Sequence, residues 1–219
     1  MRRVKVKICG ITNWPDARRA CEAGADFLGF NFYPRSPRYI TPTRARRIVR
    51  RLPKGVAAVG VFVNEREQRM AETARRVGLE YLQLHGEESP DVVSNLRRSF
   101  KVVKAVRVRK SFHIAELGKF KAASAILLDG FDPRLRGGTG KTFDWSLARG
   151  SKLRQRIFLA GGITAENALD AISVVKPYAI DVCSGVEAVP GKKDPAKIKA
   201  LMRALDGSHP TRRKMRKKQ

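Results

Sequence analysis

Short β-branched or apolar runs alternate with amphipathic stretches eight times along this chain, and that alternation constrains the fold more than any other feature. The runs fall at 4–8, 27–32, 57–63, 81–84, 102–106, 125–128, 157–160 and 179–182. Several are apolar throughout, as strands covered on both faces should be. Between them, Ala45, Ile48, Val49 and Leu52 recur at i, i+3, i+4 and i+7. Ala168, Ala171, Ile172 and Val175 repeat that spacing, as do Ile198, Leu201, Met202 and Leu205, and each set makes one apolar helix stripe. Thr41 before Pro42 reads as an N-cap with proline at the first helical position. Gly24 and Gly78 read as helix-ending glycines. The stretch after Trp145 carries the weakest helical pattern. Repeated β-then-α units specify a parallel sheet with helical crossovers. Such a sheet either closes into a TIM barrel or stays open and doubly wound.

The unusual residues favour closure. Cys9-Gly10, Asp129-Gly130, Gly161-Gly162 and Ser184-Gly185 all fall at or just beyond strand C-termini. Barrel enzymes collect their catalytic groups on that face. The expected fold is therefore α/β, a single-domain TIM (βα)8 barrel over residues 1–207. Residues 208–219 form a basic tail without apolar periodicity, which is expected to be disordered.

The formal net charge is +26. The last fourteen residues hold six cations against Asp206 alone, so the first 205 residues still carry +21. Such charge attracts polyanions, but a solvated basic surface is the simpler account, and nucleic acid is not the expected partner. Lys5 and Lys7 interrupt the N-terminal apolar stretch, so no signal peptide is expected. No run approaches the roughly 18 apolar residues of a membrane span. A cytoplasmic protein with no membrane partner is expected. Three cysteines in odd number and wide spacing, with no C-x-x-C, suit a reducing compartment and no zinc site. His85, His113 and His209 lie far apart in sequence, so no metal site is expected.

Period-two alternation puts Lys5, Lys7 and Cys9 on one face of the first strand. If its apolar face meets the helices, Lys7 and Cys9 point into the barrel. Cys9 is then either an inert thiol or a base, with Lys7 favouring the thiolate and desolvation opposing it. Lys7 could instead pair with Asp181. Cys21, within the first helix, reads as structural, while Cys183 at the end of the last strand stays ambiguous. Asp129 either satisfies backbone amides of its glycine turn or acts chemically. The loops around Gly161-Gly162 and Ser184-Gly185 each follow a strand and are expected to open a helix. Their small residues let backbone N–H groups approach an anion, and a phosphate site after strands 7 and 8 recurs in barrels. Gly140-Lys141-Thr142 mimics the end of a P-loop, but Leu135 stands where the first glycine is required. Arg35 and Arg38, in a proline-stiffened loop after strand 2, could grip a carboxylate.

Together these stretches resemble phosphoribosylanthranilate isomerases. The resemblance rests on Lys7-Ile8-Cys9-Gly10-Ile11-Thr12, Gly29-Phe30 with Ser36-Pro37-Arg38-Tyr39, and Val59-Gly60-Val61-Phe62-Val63-Asn64. It continues through Leu82-Gln83-Leu84-His85-Gly86, Leu128-Asp129 and Gly137-Gly138-Thr139-Gly140-Lys141-Thr142-Phe143-Asp144-Trp145. It ends with Leu159-Ala160-Gly161-Gly162-Ile163 and Asp181-Val182-Cys183-Ser184-Gly185-Val186-Glu187. Coverage runs from about residue 4 to 205. Cys183 stands where a serine is common, and the tail lies outside the family pattern.

The resemblance implies an Amadori rearrangement of N-(5′-phosphoribosyl)anthranilate to 1-(2-carboxyphenylamino)-1-deoxyribulose 5-phosphate, a step of tryptophan biosynthesis. It implies Asp129 as general acid, Cys9 as general base, and no cofactor. Arg38 would hold the anthranilate carboxylate. The backbone near Gly161, Gly162, Ser184 and Gly185 would hold the phosphate, with Gln83, His85 and Asp181 as neighbours. The partner is then a small phosphorylated substrate, and the protein a monomer or homodimer. The related sugar isomerases of histidine synthesis share the phosphate loops but end strand 1 in aspartate, where Cys9 stands here. A nucleic-acid-binding barrel that lost its activity would explain the charge, but not the intact Cys9, Asp129 and Arg38.

Overall fold

A computed structural model describes residues 4–109, 112–130, 145 and 155–207. The motif at 137–144, the stretch following Trp145 and the basic tail lie outside the described residues.

Eight parallel strands close into a barrel in sequence order, β8 returning to β1. They are β1 (Lys5–Ile8), β2 (Phe27–Asn31), β3 (Ala57–Phe62), β4 (Tyr81–Leu84), β5 (Lys101–Val108), β6 (Ala125–Gly130), β7 (Arg156–Leu159) and β8 (Ala179–Val182). Each coincides with one of the eight sequence runs to within two residues at either end. Helices α1 (Trp14–Glu22), α2 (Pro42–Val49), α3 (Glu67–Val77), α4 (Pro90–Arg97), α5 (Ala168–Val175) and α6 (Pro195–Gly207) lie along the chain between or after them.

The caps have local causes. Thr41 accepts from the Arg44 N–H at the start of α2, and Ser89 from the Val92 N–H at the start of α4. Gly78 ends α3 in the left-handed region at φ 86°, where a Cβ is disfavoured. β5 departs from the pattern, because a 3-10 segment, Ile114–Phe120, follows it in place of an α-helix. With Leu117 and Phe120 buried, this short element still covers the sheet.

Apolar residues divide into two layers. One cluster fills the space between sheet and helices, including Val6, Ile8, Leu28, Leu82, Leu128 and Ile180. The other fills the barrel itself: Phe27, Val59, Val103, Ala105, Ala125, Leu127, Phe158, Ala160 and Ala179. Alternation along β1 therefore sends Val6 and Ile8 outward and Lys7 inward, where it is 1% exposed. The interior is apolar at the strands' N-terminal ends and polar above. No helix of the described residues is long and apolar enough to cross a membrane.

Candidate active site

At the C-terminal mouth, a cavity of about 380 Å³ is lined by Cys9, Arg38, Gln83, His85, Asp129 and Asp181. Gly161, Gly162, Cys183 and Ser184 line it too. Of the candidate residues, only Lys7 and Gly185 are not on its wall. Lys7 lies one layer below, and Gly185 faces an adjoining hollow that also includes Gly162, Thr164, Ser184 and Lys197.

The floor of the mouth is a buried ion pair. β1 and β8 align Lys7 with Asp181, and Lys7 Nζ donates to both carboxylate oxygens at 2.9 Å. Gly29 makes room for this, since a Cβ there would stand 2.7 Å from Cys9 Sγ and 3.1 Å from Lys7 Nζ. One cation thus serves two acidic neighbours. Burial opposes the charge on Lys7, but Asp181 and Cys9 outweigh it and hold the ammonium above its ordinary range. Burial pushes Asp181 up to about 7, against the pull of Lys7. The Cys9 thiol is held well below its ordinary range, first by a hydrogen bond from Cys183 and then by Lys7 and Lys193, against burial.

Removing Lys7 should therefore show as instability. Breaking a buried pair from one side typically costs about 3–5 kcal/mol, or roughly 6–20 °C in melting temperature for a domain of this size. Lys7→Met is the test, by thermal melts at neutral pH; a melt within 2 °C or so of the parent would mean that the pair contributes little. Because the folded protein binds the Lys7 proton more tightly than the ordinary value of 10.5, the lysine's share of this stabilisation is present below that pH and fades as pH rises through the higher folded value. The Asp181 side titrates separately, since burial holds that carboxyl up at about 7.

A second chain of contacts crosses the mouth. Gln83 Nε2 lies 2.9 Å from His85 Nδ1, and His85 Nε2 lies 3.2 Å from Asp129 Oδ2. Among the described residues, Gln83 Oε1 is buried without a hydrogen-bond partner. Below His85, Lys104 Nζ meets Glu88 at 2.9 Å and the Gly86 carbonyl at 2.7 Å. Glu88 in turn accepts from the Gly86 and Asn64 N–H groups. This knot fixes the turn that follows His85.

Arg38 arrives over Gly10, whose φ is 79°; a Cβ there would come within 2.8 Å of Arg38 Cδ. Its Nε and Nη2 donate to Glu187 at 2.9 and 2.6 Å. Glu187 also accepts from Lys193 Nζ at 3.0 Å and from the Gly191 N–H. Neither Glu187 nor Lys193 was singled out from sequence. They meet because a hairpin of β9 (Glu187–Val189) and β10 (Lys192–Lys193) folds Lys193 back.

The two glycine loops differ from expectation. Gly161 and Gly162 have φ of 88° and 66°, and a Cβ on Gly161 would stand 2.6 Å from the Gly130 N–H nitrogen. A Cβ on Gly185 would collide with the Ile163 carbonyl, so these loops touch through bare backbone. Yet α5 begins only at Ala168, and after β8 come a three-residue 3-10 turn, Ser184–Val186, and the hairpin. Neither loop opens directly onto a long helix, so any anion held here would rely on turn N–H groups.

A family model described as N-(5'-phosphoribosyl)anthranilate (PRA) isomerase matches residues 6–204. The chain is 48% identical over 200 residues to an N-(5'-phosphoribosyl)anthranilate isomerase of Pelobacter propionicus, covering 91% of this chain and 94% of that protein. The crystal structure of phosphoribosyl anthranilate isomerase from Thermotoga maritima superposes with a TM-score of 0.84 at 44% identity, covering 93% and 99% of the two chains. A solved isomerase in complex with reduced 1-(o-carboxyphenylamino)-1-deoxyribulose 5-phosphate gives 0.81 at 43% identity, with the same coverage.

Proposed function

This chain belongs to the N-(5'-phosphoribosyl)anthranilate isomerase family, and from that membership we propose a division of labour among its residues, with Asp129 as general acid and Cys9 as general base. The reaction is an isomerisation in tryptophan biosynthesis. One observation carries the assignment: Cys9, just after β1, and Asp129, on β6, line the same cavity with β7 and β8 between them. A sugar seated there has an acid on one flank and a base on the other.

In this reading Asp129 protonates the furanose ring oxygen and the C1–O bond breaks. The nitrogen lone pair forms the C1=N bond of a cationic Schiff base. The Cys9 thiolate then takes the proton from C2, and the electron pair left behind neutralises the iminium as an enolamine. A proton then adds at C1 while the C2 hydroxyl gives up its own, which turns the enol into the ketone, and proton exchange with solvent returns Asp129 to its acid form and Cys9 to its thiolate. Protons move and no electrons leave the substrate, so the scheme needs an acid and a base. Asp181, joined to Lys7 beneath Cys9, keeps one charge pair under the reacting carbons. Gln83 contacts His85, which contacts Asp129. Turn N–H groups near Gly161, Gly162, Ser184 and Gly185 receive the phosphate.

Arg38 receives the anthranilate carboxylate. Glu187 occupies Nε and Nη2 and so fixes the plane of the guanidinium. A charge-assisted hydrogen bond is worth about 1.5–3 kcal/mol. Arg38→Ala should therefore raise KM by about 10- to 100-fold while kcat changes less. Unchanged KM in a folded variant would put the carboxylate elsewhere.

The function is tested by expressing the chain in a tryptophan-requiring strain that lacks this isomerase. Growth without tryptophan is the expected result. No growth, with folded protein present in the cells, would overturn the reading.

A further inference from the structure

Lys193 takes no part in the scheme above, yet its ammonium is sealed in behind the proposed carboxylate site. Its side chain is 1% exposed. β10 brings it there, and its own N–H donates to Asp16 Oδ2 at 2.9 Å, near the start of α1. Nζ donates to Glu187 Oε1 at 3.0 Å and to the Cys183 carbonyl at 3.1 Å. Arg38 Nε donates to the same Glu187 oxygen at 2.9 Å. Two cations thus meet at one carboxylate, itself 4% exposed.

That arrangement answers a conflict. Glu187 fixes the plane of the Arg38 guanidinium, but as an anion it also cancels the charge of Arg38 and repels any carboxylate brought near. Burial pushes the Glu187 carboxyl up, but the hydrogen bonds of Arg38 and the charge of Lys193 outweigh it and hold the group below its ordinary range. Glu187 is therefore ionised at neutral pH, and the three side chains sum to one positive charge. Among the described residues, no second carboxylate contacts the side chain of Arg38 or of Lys193. Of the two cations only Arg38 lines the cavity, so that charge is presented to a ligand through its guanidinium.

We propose that Lys193 is a positioning residue for substrate binding: by offsetting Glu187 from behind, it leaves the charge of Arg38 available to the anthranilate carboxylate. The proposal rests on the reading of Arg38 as the receiver of that carboxylate. It makes the trio a device that orients a guanidinium without neutralising it, and that favours a ligand whose ring carries a carboxylate over one whose ring is neutral. Lys193 also ties the hairpin to the Cys183 carbonyl, and the test separates that role from this one.

The measurement is the dissociation constant of two inert ligands, reduced 1-(o-carboxyphenylamino)-1-deoxyribulose 5-phosphate and its phenylamino counterpart without the carboxyl group. The preference for the first over the second reads the carboxylate contact alone, because a change in the fold or at the phosphate end acts on both. In Lys193→Met the preference should fall about 10-fold, the effect of a unit charge roughly 10 Å away at an effective dielectric constant of about 20. The double variant Glu187→Gln with Lys193→Met removes both charges and keeps a side chain that can bond Arg38. It should return the preference to within about threefold of the parent. An unchanged preference in folded Lys193→Met overturns the proposal. So does a double variant no better than the single one, because Lys193 would then serve the hairpin and not the charge. If Lys193→Met does not fold, Glu187→Gln is compared with the double variant, which should show a preference about 10-fold lower; equal preferences overturn the proposal. Arg38→Ala with the same two ligands keeps the two readings apart. If it retains the parent's preference, the carboxylate is not held by Arg38, and the reading beneath the proposal fails.

Discussion

Cys9→Ala is expected to lower kcat about 100- to 10,000-fold, the usual worth of a positioned base, while the protein keeps its fold. Little else changes in the variant. Cys9 is only partly buried, and the sulfur sits over Gly29, where the removed atom leaves a small polar gap at the cavity wall and no void in the core. Lys7 keeps Asp181 as its partner. Melting temperature and KM should therefore stay near the parent values, and the loss should appear in the chemical step. Cys9→Ser sharpens the experiment. A hydroxyl copies the shape of the thiol, but at neutral pH it supplies almost no anion. It should be nearly as impaired as alanine. If the serine variant turned over at close to the parent rate, Cys9 would be a matter of packing and the base would lie elsewhere.

Asp129→Asn should cost turnover on the same scale, about 100- to 10,000-fold. The replacement is close to isosteric. Its side-chain amide can still hydrogen-bond His85 Nε2, which lies 3.2 Å from the carboxylate in the parent. Gln83, His85 and the turn held by Lys104 and Glu88 therefore stay in place. What the amide lacks is a proton to give to the ring oxygen. Binding should survive, so substrate or a stable product analogue should retain an affinity within a few-fold of the parent. The measurement is kcat alongside the dissociation constant of that analogue. A folded Asp129→Asn with more than about a tenth of parental kcat would remove Asp129 from the acid role.

The sheet was legible in the sequence for a simple reason. Strands covered on both faces need apolar residues at nearly every position, and runs such as 125–128 leave few alternatives. β5 was read too short because Lys101 and Arg107 flank its apolar centre. Lys104 lies within that centre and was no guide, since its ammonium is buried on Glu88 and carbonyl groups. The site was legible where a residue's face follows from alternation, as for Lys7 and Cys9. It was not legible where a function depends on chain returning from far away. Glu187 and Lys193 meet through a hairpin with strands of only three and two residues, too short to carry a periodic signal. The choice between Lys7 as partner of Asp181 and Lys7 as neighbour of Cys9 was open from sequence. The structure pairs it with Asp181, and the nearby Cys9 also helps to hold its charge. Cys183 was ambiguous because its polar neighbours, Glu187 and Lys193, are brought to it by that same hairpin.

The register between the first and last strands also sets a schedule. The anion that meets Lys7 is 174 residues further along the chain. At about 5–20 residues per second, a ribosome needs roughly 10–35 s to add it. Through that interval β1 presents a row of unpaired N–H and C=O groups, the kind of edge that recruits other strands. The growing sheet exposes a second such edge at whichever strand was made last. A lysine amid the apolar residues of β1 is a charge of the sort that discourages such pairing. The same ammonium that anchors the finished mouth thus guards the unfinished barrel until its last strand arrives.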